Sequence, residues 1–235
     1  MTISIKTFIR KAINRIKVGT RNHLNPYLAP YRQKKLKERD IVKNFTIISN
    51  NCWAGLVYQH FGLPYNTPTA GLFFFAQDYI KFVYNIKEYL AKDFKFISLE
   101  ESRYCETLKQ YGGECIKCPI AICGDIEIIF MHYHSPEEAE EKWRRRTARI
   151  NWDNIIYKFS EMNGCTEEDL RAFDALPAEK KVVFTHKDYG LKNQVIYTEF
   201  KNTGYVPNDT DNFRKYIDLY DLISGKFNEQ REWHF

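Results

Sequence analysis

The stretch that decides the fold is Gly124–Asn154, GDIEIIFMHYHSPEEAEEKWRRRTARINWDN. Its first part alternates as a strand does, with three apolar side chains on one face: Ile126, Ile128 and Phe130. Further on, Ser135 and Pro136 predict the start of a helix, because serine is a good N-cap and proline suits the first helical position. Acidic residues follow in the first turns and arginines in the last turns, which the helix dipole favours. A strand followed at once by a capped helix is typical of α/β proteins.

The segment between this strand and this helix carries two histidines, His132 and His134. Functional groups of α/β proteins collect at the carboxyl edge of the sheet, so both are candidate general acids or bases. Asp125 and Glu127 lie two residues apart in the strand and point to the same side, where they are candidates for a base or a cation ligand. The alternatives are structural histidines and a solvated strand face.

The predicted helix bears basic residues four positions apart, which line common faces: Lys142 with Arg146, and Arg145 with Arg149. Paired guanidinium groups suit a phosphate or diphosphate, because each planar fork binds two oxygens. We therefore expect Arg145 and Arg149 to bind such a group. Two polar residues at the following break would complete the pocket: Asn151 and Asp153. An exposed, salt-bridged helix is the alternative.

The rest of the chain alternates predicted strands and helices, which indicates a layered α/β/α fold with a largely parallel or mixed sheet. We predict a basic N-terminal helical extension over residues 1–43 and a single α/β domain over residues 44–235. The predicted strands, besides the one above, cover residues 45–49, 71–75, 94–99, 182–186 and 195–200. The predicted helices cover residues 55–61, 78–90, 151–162 and 166–176.

Polar residues also follow the first predicted strand, FTIIS. Asparagine tolerates unusual backbone angles and bonds its own turn, so this segment is a candidate ligand-binding loop. Its candidate binding residues are Asn50, Asn51 and Trp53. The alternative is a structural turn that carries a core tryptophan.

The positive charge of the chain lies at its N-terminal end. Residues 1–40 hold eleven Lys and Arg against two acids, whereas the remainder holds 24 basic and 28 acidic residues. Apolar residues recur at helical spacing between Ile5 and Ile16, with basic residues on the other faces. This pattern predicts that residues 1–20 contact an anionic membrane surface. A helix packed on the domain and an arm for nucleic acid are alternatives, and no motif of an RNA-binding module supports the last. HLNPYLAP (residues 23–30) is expected to break the helix before a second basic helix over residues 31–43.

Six unevenly spaced cysteines suit a reducing cytoplasm better than a disulfide framework. No run of about 18 apolar residues could span a bilayer, and the N-terminus lacks the pattern of a secretory signal. We therefore expect a cytoplasmic protein, attached peripherally to the inner face of the membrane. Four cysteines are close enough in sequence for a zinc site, but without a second CxxC we predict free thiols: Cys105, Cys115, Cys118 and Cys123.

Asp209-Thr210-Asp211 has the Asp-x-Asp form with which many glycosyltransferases hold a divalent metal on a nucleotide diphosphate. The motif stands in a polar loop after the predicted strands, so we predict no metal site there. The sequence names no cofactor. Walker, kinase and common hydrolase motifs are absent from it, which disfavours those classes.

Four segments together resemble one bacterial family: FTIISNNCWAG, GLPYNTPTAGLFFFAQDYIKF, GDIEIIFMHYHSPEEAEEKWRRRTARIN and VVFTH. It is family 1919 of the domains of unknown function, whose members are often labelled exopolysaccharide-biosynthesis proteins. The likeness runs from about residue 44 to about residue 186. It implies an α/β fold and a role in capsule or exopolysaccharide assembly at the cytoplasmic face, and it implies no catalytic residues.

These observations lead to two hypotheses of different classes. The first is a transferase, of glycosyl type, that takes a nucleotide-sugar or lipid-linked glycan substrate at the membrane surface. Transfer of a phospho or acyl group would use the same residues. The second is a non-catalytic accessory or glycan-binding protein of a polysaccharide-assembly system.

Overall fold

The computed structural model describes residues 23–228, and its strands there form two sheets. The strands are β1 (Thr46–Ser49), β2 (Lys95–Ile97), β3 (Ile120–Cys123), β4 (Ile126–Ile129), β5 (Ile155–Ser160), β6 (Lys181–Thr185) and β7 (Gln194–Ile196). A parallel sheet has the order β1-β5-β6-β7, and an antiparallel sheet has the order β2-β3-β4. The predicted α/β class with a largely parallel or mixed arrangement is confirmed.

Helices cover both faces of the parallel sheet. They are α1 (residues 23–38), α2 (Trp53–Phe61), α3 (Ala76–Tyr84), α4 (Ile86–Ala91), α5 (Cys105–Tyr111), α6 (Pro136–Thr147), α7 (Glu167–Ala175) and α8 (Leu219–Ser224). Successive strand residues point to opposite faces, so Ile47 packs with α1, α2 and α8, whereas Ile48 packs with α3, α6, α7 and the antiparallel sheet. The parallel strands are apolar runs because both of their faces are buried.

The caps that the sequence predicts are present. The Ser135 hydroxyl accepts a hydrogen bond from the backbone N–H of Glu138 at 3.2 Å, and Pro136 is the first residue of α6. Thr166 and Asp169 form a capping box at the start of α7, because each side chain bonds the backbone N–H of the other residue. These local signals therefore fix where the two helices begin.

Residues 151–162, predicted to be helical, contain β5 instead, so that prediction was wrong. The strand pairs with β1 on one side and β6 on the other. The apolar residues of this segment fit helical spacing as well as a buried strand, and pairing on both sides decides between them. Helix α6 consequently ends at Thr147, and residues 148–154 form the connection to the sheet.

Two further predictions about single elements were wrong. Residues 71–75 form only an isolated antiparallel bridge, in which the Phe73 N–H bonds the carbonyl of Ile129 at 2.9 Å. The helix predicted for residues 78–90 is interrupted at Asn85, which separates α3 from α4. The predicted strand of the opening stretch is present as β4, which belongs to the antiparallel sheet.

The predicted break at residues 23–30 was also wrong, because that segment is part of α1. The helix persists through its two prolines since later residues fasten it to the end of α2. Arg32 donates to the carbonyl of His60 at 2.7 Å, and Gln33 donates to that of Phe61 at 2.8 Å. Among residues 23–228, no helix has the length and apolar character needed to cross a bilayer. The helix predicted around Ile5–Ile16 lies outside the described residues.

Candidate functional site

A cavity of about 370 Å³ opens between α2, the loop that follows it and α6. Its volume is within the range of small-molecule sites. The side of α2 contributes a thiol and an apolar surface through Cys52, Gly55 and Leu56. The polar part of the lining comes from Gln59, Tyr65, His132, Tyr133, Lys142 and Arg146. We refer to this cavity as the α2–α6 pocket.

Close backbone packing joins the loop after α2 to the segment that carries the histidines. The His132 N–H bonds the carbonyl of Gly71 at 3.0 Å, and the Tyr133 hydroxyl donates to the carbonyl of Ala70 at 2.6 Å. Gly71 has a φ of +84°, and a Cβ there would lie 3.1 Å from the ring of Tyr133. A glycine is therefore required at this contact, both for its backbone angle and for space.

Arg146 is a buried cation at the wall of the pocket. Its side chain is on the inward face of α6 and the residue is only 8% exposed. The guanidinium donates to the carbonyl of Ala70 at 2.8 Å and to the hydroxyl of Tyr133, and it lies 4.9 Å from the ring centroid of Tyr65. It forms no ion pair with any carboxylate of residues 23–228. Such a cation attracts an anion from solution.

Lys142 lies one helical turn before Arg146 and adds a second positive charge to the pocket. Its ammonium pairs with the carboxylate of Glu138 and lies 5.5 Å from the ring centroid of Tyr133. Glu138 also accepts a hydrogen bond from the backbone N–H of His134 at 2.8 Å, and the bond from Lys142 lowers the pKa of its carboxyl group. Glu138 therefore holds both Lys142 and the chain segment before α6.

The two candidate histidines have different surroundings. His132 lines the pocket, and its Nδ1 lies 3.2 Å from the Oε2 of Glu114, while its side chain is 52% exposed. His134 is exposed and is not part of the lining. One of the two imidazoles thus lines the same pocket as the cations, and a carboxylate is in position to orient its ring.

Asn50 and Asn51 belong to a buried polar network rather than to the pocket. The ammonium of Lys158, on β5, pairs with the carboxylate of Asp209, and both side chains are almost fully buried. Asn51 donates to that carboxylate at 2.9 Å and accepts from Lys158 at 3.1 Å. Asn50 bonds the backbone of Ser160 in both directions at 3.0 and 3.1 Å. Burial lowers the pKa of Lys158, and the charge of Asp209 opposes that shift. We call these five residues the sealed network.

Trp53, the third candidate of this segment, is fully buried and packs edge-on against Phe184 and Phe213. In the Asp-x-Asp motif, Asp209 is buried and belongs to the sealed network. Asp211 is exposed and accepts a hydrogen bond from the side chain of Asn208 at 2.9 Å. Among residues 23–228, no group of three or more His, Cys, Asp or Glu lies in an arrangement that could hold a metal ion.

The two candidate carboxylates of β4 and the turn before it lie away from the pocket lining. Asp125 accepts from Lys81 at 2.7 Å and from the hydroxyl of Tyr89 at 2.6 Å, which lowers its pKa to about 2. Glu127 is buried, where it accepts from the hydroxyl of Ser102 at 2.6 Å and the backbone N–H of Arg103 at 3.0 Å. Each carboxylate thus has internal donors that tie neighbouring segments together.

The remaining candidates surround the end of α6. Arg145 is exposed and pairs with Glu141 at 3.2 Å, and Arg149 is also exposed. Asn151 donates to the carbonyl of Asn44 at 2.8 Å, and its Oδ1 accepts from the backbone N–H of Asp153 at 3.1 Å. None of the four lines the pocket. Their ligand-binding roles remain predictions.

A signal for the correct face of α6 was present in the sequence. The buried residues of this helix are Ala139, Trp143 and Arg146, at positions i, i+4 and i+7. A basic residue on the apolar stripe of a helix points inward, whereas Arg145 and Arg149 lie off that stripe. The apolar stripe, rather than the spacing of the arginines, identifies the residue at the pocket.

A second polar cluster, which no pattern in the sequence indicates, lies at the ends of β5 and β6. The Nδ1 of His186 lies 2.8 Å from the Oε2 of Glu161, and the other carboxylate oxygen accepts from the hydroxyl of Tyr189 at 2.5 Å. The backbone N–H of His186 also donates to Glu161. Histidine and carboxylate are both buried, so this pair fastens the ends of two adjacent strands.

Comparison with known proteins places the chain among uncharacterised relatives. The model of a family described as a domain of unknown function (DUF1919) matches residues 23–224. A protein of Haemophilus influenzae (strain ATCC 51907 / DSM 11121 / KW20 / Rd), described as uncharacterized, is 33% identical over 196 residues. That alignment covers 81% of this chain and 86% of the relative. Residues 23–224, which the family model matches, contain every residue of the pocket and of the sealed network.

Proposed function

The chain belongs to the DUF1919 family, and on that premise we propose that it is a transferase of glycosyl type in bacterial exopolysaccharide or capsule biosynthesis. Its substrate would be a nucleotide sugar or a lipid-linked glycan, taken up at the cytoplasmic surface of the membrane. The exopolysaccharide labels that members of the family often carry support the pathway. The chemistry of the α2–α6 pocket supports the class of ligand.

The observation that carries the proposal is the state of Arg146. Arg146 as a whole residue is 8% exposed, and its guanidinium has no carboxylate partner among the described residues, which leaves a positive charge without compensation at the pocket wall. Lys142 adds a second cation one turn away, and phosphate oxygens would accept hydrogen bonds from both groups. A phosphate or diphosphate is the ligand that this pair matches best.

The rest of the lining suits the organic part of such a substrate. Tyr65 and Tyr133 present aromatic rings whose centroids lie 4.9 and 5.8 Å from the guanidinium of Arg146. Aromatic rings pack against the apolar faces of sugars and bases. Gln59 adds an amide that is bonded to the hydroxyl of Tyr65 at 2.9 Å.

His132 is the residue we propose as the general base. The acceptor hydroxyl would give its proton to the imidazole, its oxygen would attack the anomeric carbon of the donor, and the bond to the diphosphate would break. Lys142 and Arg146 would stabilise the negative charge that develops on the departing diphosphate. Glu114, at 3.2 Å from Nδ1, would orient the ring and stabilise its protonated form.

Titration calorimetry of the purified protein with UDP-glucose, GDP-mannose and inorganic pyrophosphate tests the proposal. We expect binding that Lys142→Gln weakens about tenfold, because one charge-assisted hydrogen bond is lost. Arg145→Gln is the matched control, since it also removes a cation of α6 whose glutamate partner is four residues away, but it lies outside the pocket. Equal weakening by both variants, or no heat with any of these ligands, would contradict the proposal.

A second measurement separates catalysis from binding alone. Release of free nucleotide from the bound sugar donor, followed with a membrane extract as the source of acceptor, should fall at least tenfold in His132→Gln while the affinity for pyrophosphate is kept. Unchanged release in that variant would remove His132 from the chemistry. Binding with no release by the wild-type protein would favour the accessory, glycan-binding hypothesis.

A further inference from the structure

Helix α1 exposes an apolar stripe on the side that faces away from the domain. The stripe consists of Leu24, Tyr27, Leu28 and Tyr31, at positions i, i+3, i+4 and i+7, with exposed fractions of 44, 75, 40 and 58%. The opposite side of the helix buries Ala29 and Leu36 in the domain. An ordinary surface helix has one apolar face, whereas α1 has two. We call the exposed one the outer stripe.

Helix α1, which carries the outer stripe, is attached to the domain by side-chain hydrogen bonds. Arg32 donates to the carbonyl of His60 at 2.7 Å and to the side chain of Asn25 at 2.8 Å, and Gln33 donates to the carbonyl of Phe61. These bonds, together with the fully buried Leu36, attach α1 to the C-terminal end of α2. The orientation of the stripe is therefore set by the domain.

The sequence in and before α1 is rich in positive charge. Residues 23–43 contain six basic and two acidic residues, and residues 1–22 contain six basic residues and no acid. The ammonium of Lys35 lies 4.8 Å from the ring centroid of Tyr31, and the side chain of Lys34 is 73% exposed. Two copies that met through this stripe would bring like charges together, whereas an anionic surface would neutralise them.

We propose that the outer stripe of α1 docks the protein on an anionic lipid surface. Leucine and tyrosine side chains would enter the interfacial layer, where the amphipathic ring of tyrosine is favoured, and the lysines would bind lipid phosphates. The inference rests on the proposed function for its location at the membrane, but the surface itself is argued from α1 alone. It adds a surface on α1 to the membrane contact that the sequence predicts for residues 1–20.

Docking through this stripe has a consequence for the pocket. Helix α1 is bonded to the carbonyl of His60, and the preceding residue, Gln59, lines the α2–α6 pocket. A bilayer in contact with α1 would therefore lie beside the helix that forms one wall of the pocket. Such a position suits a substrate whose glycan is attached to a lipid.

Vesicle co-sedimentation of the full chain tests this inference. We expect binding to vesicles of phosphatidylglycerol and phosphatidylcholine, little binding to phosphatidylcholine alone, and weakening in high salt. Tyr27→Ser/Tyr31→Ser should reduce binding to the anionic vesicles about tenfold or more, because two interfacial rings are lost. The matched control is Tyr84→Ser/Tyr205→Ser, which removes two tyrosines of 44 and 51% exposure elsewhere on the protein and should bind as the wild type does.

Three outcomes would overturn the inference: wild-type binding that ignores lipid charge, undiminished binding by Tyr27→Ser/Tyr31→Ser, or a dimer in light scattering that this variant converts to a monomer. The second outcome, combined with loss of binding on deletion of residues 1–22, would assign membrane contact to the preceding segment. Pyrophosphate calorimetry without vesicles should be unchanged in both double variants, so failure of the docking surface and failure of the proposed transferase are separate results.

Discussion

Among residues 23–228, two buried cations lie against aromatic rings, and they differ in how their charge is compensated. Lys158 lies 5.1 Å from the ring centroid of Phe184 and pairs with Asp209, so its charge is compensated inside the protein. Arg146 lies 4.9 Å from that of Tyr65 and has no carboxylate partner among the described residues. Burial alone therefore does not distinguish a cation that is compensated inside the protein from one that is free to take an anion from solution, and the presence of an internal carboxylate does.

The largest expected effect on stability comes from removing the counter-charge of the sealed network. Asp209→Asn would leave the ammonium of Lys158 buried without an anion, and we expect the free energy of unfolding to fall by about 3–5 kcal/mol. Urea denaturation followed by circular dichroism measures the change. Asp211, the other acid of the Asp-x-Asp motif, is the control. Because its side chain is exposed, Asp211→Asn should change the free energy of unfolding by no more than about 0.5 kcal/mol.

An unchanged midpoint in Asp209→Asn would mean that Lys158 loses its proton, or reaches water, at little cost. The pair of Lys158 and Asp209 would then contribute little to the free energy of unfolding, and the distinction between Lys158 and Arg146 would fail. Lys158→Met, which removes the ammonium and leaves Asp209 buried, provides an independent check of the same pair and should be destabilising as well.

The thiol of Cys52 lies at the border of the two sites, and its reactivity gives the next largest effect. It lines the pocket, and burial, followed by the charge of Asp209, raises its pKa to about 12. A raised pKa keeps the thiol protonated at neutral pH, so at pH 8 the thiolate is about a thousandfold scarcer than for a free cysteine. Alkylation should therefore be slow at pH 8 and accelerate about tenfold per pH unit up to about pH 12.

Iodoacetamide labelling measured by mass spectrometry checks this expectation, with the urea-unfolded protein as the reference for an ordinary thiol. Labelling of native Cys52 at pH 8 as fast as in the unfolded chain would show that the thiol is accessible and ionises as an ordinary cysteine does, which would contradict the prediction. A slow rate that does not change with pH would show that access, rather than the protonation state, limits the reaction.

The sequence was sufficient to predict the α/β class and the starts of α6 and α7, because caps and apolar alternation are local properties. It failed where tertiary pairing decides. The segment from Ile155 to Ser160 has apolar positions compatible with a helix or a buried strand, and only its two neighbouring strands select the latter. In α1, hydrogen bonds from Arg32 and Gln33 to α2 outweigh the effect of two prolines.

The candidate site could be predicted in its general location but not in most of its side chains. The turn after β1 and the segment with the histidines do meet at one pocket, which His132 lines. The sequence did not distinguish Asn50 and Asn51, which bond inward to Ser160 and Asp209, from residues that face a ligand. Spacing along a strand or helix gives the face on which a residue lies, whereas its partners across the fold determine whether it is free to bind.

The smallest expected effect on stability concerns the α2–α6 pocket. If the pocket cations serve a ligand, removing the accessible one should cost the fold very little. Lys142→Gln and His132→Gln each replace a partly exposed side chain whose partner is a glutamate, and the free energy of unfolding should change by less than about 0.5 kcal/mol.

The same urea denaturation, repeated with pyrophosphate, links this result to binding. A ligand at 100 times its dissociation constant stabilises a folded protein by about 2.7 kcal/mol, so pyrophosphate should raise the wild-type midpoint and raise that of Lys142→Gln less. Loss of several kcal/mol in Lys142→Gln without ligand would place Lys142 with Lys158 among the structural cations. The pocket would then lack one of its two anion-binding groups, and Arg146 alone would have to hold the phosphate.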